Sequence, residues 1–146
     1  LQRAAGVRLE WGHEDLAVPY AAKRLGFARG FGPCTSAVVM KGDSIAAVLI
    51  FHNWHPEAGV IEVSAVADDP QWAQRGILKQ ASGYIYGQLQ CQMALARCDA
   101  ANGRVRRLSK ALGASEYIIP RLRGKDADEA ILTLTDDAWA ASRFAR

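Results

Sequence analysis

The sequence has 146 residues, 50% of them hydrophobic and 23% charged, which suits one sizeable core and argues against wholesale disorder. Lys and Arg total 18 against 15 Asp and Glu, and the resulting +3 is too mild to require a nucleic-acid partner. No apolar run approaches the roughly 18–20 residues that cross a bilayer, and Leu1-Gln2-Arg3-Ala4-Ala5-Gly6 lacks the apolar stretch of a secretory leader.

Glu14 to Gly26 reads as a helix, with Leu16, Tyr20 and Phe27 at helical spacing and Gly26 as its stop. Pro19 belongs in a first turn, so the regular part is expected from Val18. Thr35–Met40 and Ile45–Phe51 form a hairpin around Lys41-Gly42-Asp43, and the continuous apolar run of the second suits a strand buried on both faces. His52–Glu57 is expected to turn the chain. Val60–Val66 follows as a strand, with Val60, Glu62, Ser64 and Val66 on one face and Ile61, Val63 and Ala65 on the other. Asp68–Trp72 breaks it. Gly76–Leu89 is a helix with Ile77, Ala81, Tyr84, Ile85 and Leu89 on one stripe. Cys91–Arg97 is a strand, and Asn102–Leu112 is a helix ended by Gly113. Glu116–Pro120 and Ala130–Leu134 are the last strands, separated by a charged loop.

Cys34, Cys91 and Cys98 are odd in number and lack CxxC spacing, which disfavours disulfides and structural zinc and fits a reducing cytoplasm. A His52/His55/Glu57 metal site is conceivable on spacing, but Pro56 and the turn-like composition argue for a hairpin connection, so no metal is expected.

The chemistry concentrates between Glu62 and Ala114. A strand ends, Gln74-Arg75-Gly76 follows, and a helix starts at once. The first turn of a helix has unpaired N–H groups and a positive dipole end, which suit a pyrophosphate. Arg75 and Lys79 add charge, and Gly76 admits close approach of the backbone. The same pattern also serves ordinary helix–strand packing. A second signal is Asn102-Gly103-Arg104-Val105-Arg106-Arg107-Leu108-Ser109-Lys110-Ala111-Leu112-Gly113-Ala114, directly after an apolar strand. It resembles the Asn-led turn, short helix and Leu-Gly-Phe ending of the GNAT superfamily of N-acetyltransferases. Gln74-Arg75-Gly76-Ile77-Leu78-Lys79 is similar to that superfamily's acyl-CoA pyrophosphate loop. The resemblance covers most of the chain, and His52-Asn53-Trp54-His55-Pro56-Glu57 resembles a bacterial or phage-associated branch. The chain departs from the pattern at Ala73, Leu78 and Ala114, and carries Ser109 where many relatives have a tyrosine acid.

The resemblance implies a single α+β domain over residues 1–146, with a mixed, mostly antiparallel central sheet flanked by helices on both sides. It implies acetyl-CoA as acyl donor and a primary amine, such as a small amine, a protein N-terminus or a lysine, as acceptor. The amine attacks the thioester directly, through a tetrahedral intermediate. Its oxyanion would meet the Val66 N–H, at a strand that splays from its neighbour to admit the pantetheine arm. Gln74, Arg75, Gly76, Ile77, Leu78 and Lys79 would hold the pyrophosphate. Asn102 would bond the pantetheine or the following turn, and Arg106 is among the cations within reach of the 3′-phosphate.

Glu62 is the first candidate for general base, with Ser64 on its face to orient a water; the alternative is a solvent-facing Glu62. Tyr117, Tyr84 and Tyr86 are the candidate acids, although Tyr84 sits on an apolar stripe, and water is an alternative proton source. His52 and His55 are placed either on the acceptor side or as exposed hairpin residues. Trp54, Trp72 and Trp139 serve as pocket walls or core. Two rivals stand beside this reading. One is a catalytically impaired CoA-binding module with an interaction or regulatory role, favoured by Ser109. The other is a nucleic-acid binder using Arg104, Arg106, Arg107, Lys110, Arg121, Arg123 and Lys125, set aside because no aromatics interleave. No membrane partner is expected. A homodimer through the apolar residues of Ala138–Phe144 is possible.

Overall fold

Val7-Arg8-Leu9-Glu10-Trp11 alternates apolar and polar residues and forms β1 (Val7–Trp11), an element ahead of the first expected one. The computed structural model describes residues 6–146, so the leader question at Leu1-Gln2-Arg3-Ala4-Ala5 lies outside the described residues. The chain continues through α1 (Glu14–Leu25), β2 (Cys34–Lys41), β3 (Ser44–His55), β4 (Val60–Ala67) and α2 (Arg75–Ser82). It ends with β5 (Met93–Asp99), α3 (Gly103–Ala111), β6 (Ser115–Ile119), β7 (Glu129–Thr135) and α4 (Asp136–Ala141). The strands form one seven-stranded, mostly antiparallel sheet in the order β1-β2-β3-β4-β5-β7-β6, with β4 and β5 parallel. The fold is α+β, as expected. No helix among the described residues is long and apolar enough to cross a membrane.

The described chain divides into two compact units. The first comprises the described residues through Asn53 together with Ser64–Ala81. In it, alternation along the sheet sorts the core. Val38, Val48, Ile50 and Val66 pack with Ala17 and Ala21 of α1. Their neighbours Val39, Ala47 and Ala67 pack with Ile77 of α2. Successive strand residues point to opposite faces, so the two helices cover opposite faces of this part of the sheet. The hairpin β2–β3 is set by the pair Lys41↔Ser44, with Gly42 at φ +60° in the two-residue turn.

Four expectations change here. Pro19 lies inside α1, which starts at Glu14. Pro19 and Asp15 are both exposed, so the carbonyl left without a proline N–H faces water. The buried face of α1 is Ala17 and Ala21, whereas Leu16 is 55% exposed; small side chains let the helix approach the sheet closely. β3 does not end at Phe51 but runs to His55, so the turn is Pro56–Gly59, closed by the Gly59 N–H donating to the His55 carbonyl at 2.9 Å. The long helix expected over Gly76–Leu89 is α-helical only through Ser82 and then π-helical over Gly83–Gln88. Gly83 and Gly87 weaken the α ladder there.

The second unit comprises Trp54–Val63 and Ser82–Arg146. β5 begins at Met93, leaving Cys91 ahead of the strand, where its N–H donates to the Ile85 carbonyl. Cys98, Ala130 and Leu132 pack with Val105 of α3. The segment expected to offer Ala138–Phe144 as an apolar surface is in part α4, capped by Thr135 Oγ1 accepting from the Ala138 N–H at 3.1 Å. Ala138 lies against Gly113, where an added Cβ would come 3.3 Å from the Ala138 carbonyl oxygen.

Glu129 is the charged group this unit buries, its side chain 3% exposed. Arg97 donates to its Oε2 through Nε at 3.1 Å and Nη2 at 2.6 Å, and Arg123 Nη1 donates to Oε1 at 3.0 Å. The clamp fastens the loop after β6 to β5 and β7. Glu129→Ala should lower unfolding free energy in urea by about 2–3 kcal/mol. That is less than the roughly 3–5 of a fully buried pair, because both arginines can rehydrate. An unchanged urea midpoint would contradict the clamp.

Candidate functional site

The parallel ladder between β4 and β5 pairs Val60↔Met93, Ile61↔Ala94 and Glu62↔Leu95 in the second unit, and β4 itself runs on to Ala67 in the first. Backbone direction alternates along β4. The Met93 N–H donates to the Gly59 carbonyl, which starts the ladder, and Ile61 and Val63 continue on that edge. At the other end the Asp68 N–H donates to the Ala46 carbonyl of β3 at 2.9 Å, and by the same alternation the Val66 N–H also turns toward β3. By the same alternation, the amides of β4 that point away from β3 are those of Ala65 and Ala67.

The end of β4 is held firmly. The Asp68 and Asp69 N–H groups share the Ala46 carbonyl, a bulge that turns the strand. Asp69 Oδ1 accepts from the Gln71 N–H and its Oδ2 from Lys41 Nζ at 3.2 Å. Asp68 accepts from the Tyr20 hydroxyl and from Arg24 Nη2 at 2.9 Å, while the Arg24 guanidinium lies over the Tyr20 ring. Arg24, then Tyr20, holds the Asp68 carboxyl below the usual carboxylate range.

α2 then begins. The Leu78 N–H donates to the Gln74 carbonyl at 3.0 Å, which starts the helical ladder. The preceding N–H groups, of Arg75, Gly76 and Ile77, have no protein acceptor among the described residues. Gly76 has no positive φ, and a Cβ built on it would meet nothing within 4 Å. Neither packing nor backbone conformation thus requires a glycine there, and the space beside it is free for a ligand. Gln74, Arg75 and Lys79 are exposed, while Ile77 and Leu78 are buried. Leu78 therefore seats the helix, since its N–H and its side chain are both engaged within the protein.

On the α1 face of the same unit lies a polar pair that the sequence did not join. His52 is 5% exposed, and its Nε2 is 2.8 Å from Ser64 Oγ. The Phe31 ring meets the imidazole edge-on with centroids 5.2 Å apart. The next residue, Asn53, has φ +50°, a left-handed conformation inside a strand. His52 is thus not an exposed hairpin residue; no group of three His, Cys, Asp or Glu side chains able to hold a metal occurs among the described residues. His55 and Trp54 are exposed.

In the second unit Glu62 is half-buried on β4, and its charge acts on Arg97. Tyr117 is 56% exposed on the edge strand β6. Register runs Glu62↔Leu95↔Thr133↔Ser115, three strand spacings of about 4.8 Å, or roughly 14 Å, before Tyr117 is reached two residues on. The structure does not bring Tyr117 to Glu62. Tyr86 donates to the Leu134 carbonyl at 2.7 Å and is raised above the ordinary tyrosine range, chiefly by burial. Asn102 caps α3, its Oδ1 accepting from the Val105 N–H at 3.3 Å. Arg106 donates to the Ala100 carbonyl at 2.6 Å and to Glu116, with Lys110 Nζ 3.1 Å from the same carboxylate. Two of its guanidinium nitrogens, Nη1 and Nη2, are thereby engaged inside the unit.

The architecture has solved counterparts. A protein whose acetyltransferase activity is presumed superposes with TM-score 0.71 at 15% identity, over 94% of this chain and 90% of its own. A mutant spermidine N-acetyltransferase SpeG from Vibrio cholerae matches with TM-score 0.73 at 9% identity, over 92% and 96%. The dodecameric spermidine N-acetyltransferase from Vibrio cholerae matches with TM-score 0.72 at 9% identity, over 92% and 96%. This is the GNAT acetyltransferase fold. No protein-family model and no curated protein matches the chain in sequence. Ser109 lies on α3.

The Tyr20–Asp68 bond ties α1 to the segment leading into α2, and it has a titration signature. Burial, then the Asp68 carboxylate, pushes the Tyr20 phenol up to about 12. A group raised on folding contributes stability below its unfolded pKa of 10.0 and loses it as pH climbs through about 12. Tyr20→Phe should cost about 1 kcal/mol at pH 7 and show a shallower fall of Tm between pH 10 and 12 than the parent. Parallel curves above pH 10 would contradict this assignment.

Proposed function

We propose that this protein transfers an acyl group from acyl-CoA to a primary amine. One observation carries the reading: within the first unit, a β4 edge with the Ala65 and Ala67 amides turned away from β3 leads into the unpartnered Arg75, Gly76 and Ile77 amides of α2. The fit to the donor is good on this structure, because the open space at Gly76 lets a diphosphate reach the backbone. When bound, acyl-CoA supplies an activated thioester. The Arg75, Gly76 and Ile77 N–H groups, with the Gln74, Arg75 and Lys79 side chains, bind its diphosphate. The Ala65 N–H stabilises the charge that develops on the acyl oxygen. Asn102 caps the first turn of α3 in the second unit, and its exposed side chain keeps an amide NH2 that the cap does not use.

Glu62 is proposed as the base that converts the ammonium to the free amine before attack, and Ser64, bonded to His52, lies on the same strand. Tyr117 stays on β6, so water takes the acid's part toward the departing thiolate. Acetyl-CoA is the donor proposed. The acceptor panel includes polyamines, since SpeG, a spermidine N-acetyltransferase, shares the fold.

Thermal unfolding tests the donor directly. Acetyl-CoA at a hundred times its Kd should add about 2.7 kcal/mol of stability, and no shift at millimolar ligand removes the proposal. Gly76→Glu should abolish that shift yet leave the Tm of the free protein close to the parent's, because the added side chain meets open space. Glu62→Gln should lower turnover near neutral pH without changing acetyl-CoA affinity; unaltered kinetics would take the base role from Glu62. Binding without turnover on every amine would favour the impaired CoA-binding module.

A further inference from the structure

Ser64 and His52 have the arrangement of a proton relay. Ser64 is half-buried on β4, whereas His52 is 5% exposed, so Ser64 is the more accessible member of the pair. The 2.8 Å separation of Ser64 Oγ and His52 Nε2 is a full hydrogen bond. The ring is set by Phe31 edge-on and by the fixed left-handed turn at Asn53. Opposite His52 on β2 is Cys34, whose thiol is held above its ordinary pKa by burial and then by Glu14 of α1. That thiol is neutral near pH 7. Ser64 also directly precedes Ala65, so a carbonyl oxygen accepting from the Ala65 N–H lies one residue from the Ser64 side chain.

We propose that Ser64 takes the proton of the attacking amine and passes its own to His52, a role that rests on the acyl-transfer reading above. As the amine nitrogen bonds to the acyl carbon and the carbon–sulfur bond breaks, one N–H proton moves to Ser64 Oγ. The Ser64 hydroxyl proton moves to His52 Nε2, and the imidazolium returns it to solvent, while the thiolate takes a proton from water. Ser64 is the catalytic residue here, and His52 is a positioning residue that acts through it. The relay needs His52 neutral, with its proton on Nδ1 and Nε2 bare.

The test starts on the full chain without ligand. Nitrogen-15 NMR of the histidine rings at pH 7.5 should show His52 with Nε2 unprotonated, and Ser64→Ala should shift that resonance. A proton on Nε2 overturns the relay. In turnover assays, Ser64→Ala and His52→Gln should each lower kcat about a hundredfold. KM for acetyl-CoA and the acetyl-CoA-induced Tm shift should hold, and Ser64→Thr, which keeps a hydroxyl, should recover most of the rate. Full turnover in Ser64→Ala alongside a normal Tm shift removes the relay alone. Absence of any acetyl-CoA shift in the parent protein removes the acyl-transfer reading and the relay with it.

Discussion

The constraint on which the rest depends is the bonding that fixes the end of β4. A strand's N–H and C=O groups each need a partner, and an unpaired buried group costs about as much as a lost hydrogen bond. In the first unit the end of β4 is held from several sides. Val66 is buried among the α1 core, Ala67 packs on the α2 side, and the Asp68–Asp69 bulge is tied to the Ala46 carbonyl, Lys41, Tyr20 and Arg24.

That fixing also determines where α2 starts. Asp69 caps the short turn Pro70–Trp72, and the Gln74 N–H donates to the Trp72 carbonyl at 2.9 Å. The Gln74–Ile77 backbone is therefore delivered by a chain of hydrogen bonds that begins at the end of β4. Ile77, buried against Val39 and Ala47, prevents the first turn from fraying toward solvent. A helix N-terminus binds anions only while its first amides are held in line. Here the packing of one isoleucine and the bonding of one aspartate do that work.

Much of this was legible in the residues. Helical spacing in Gly103–Ala111, Asn102 as its cap and the turn at Gly42 follow from local chemistry that tertiary contacts do not override. β1 was equally legible in its alternation, and α4 in Thr135 followed by two acidic residues, but both are short enough to pass for loop. What the sequence did not contain is relative placement. The direction of the Val66 amide follows from where the β4 bonds begin and end, which spacing cannot reveal. The meeting of His52 with Ser64 requires β3 to run past Phe51, and the local Pro56 signal pulled the expected turn forward. Tyr117 was a candidate by residue type alone, and register put it three strands from Glu62.

The missing tyrosine acid is less of an obstacle than a missing base would be. A thiol with pKa about 8.5 leaves as a thiolate only about 1.5 units above neutrality, so donating it a proton early gains roughly 2 kcal/mol at most. An alkylammonium with pKa about 10.4 must lose its proton before it can attack, which costs roughly 4.6 kcal/mol at pH 7. Selection on the chemistry therefore bears harder on proton removal than on proton delivery. The proposed relay addresses the costlier step, since Ser64 on β4 and His52 on β3 form the bonded pair through which the amine's proton would leave.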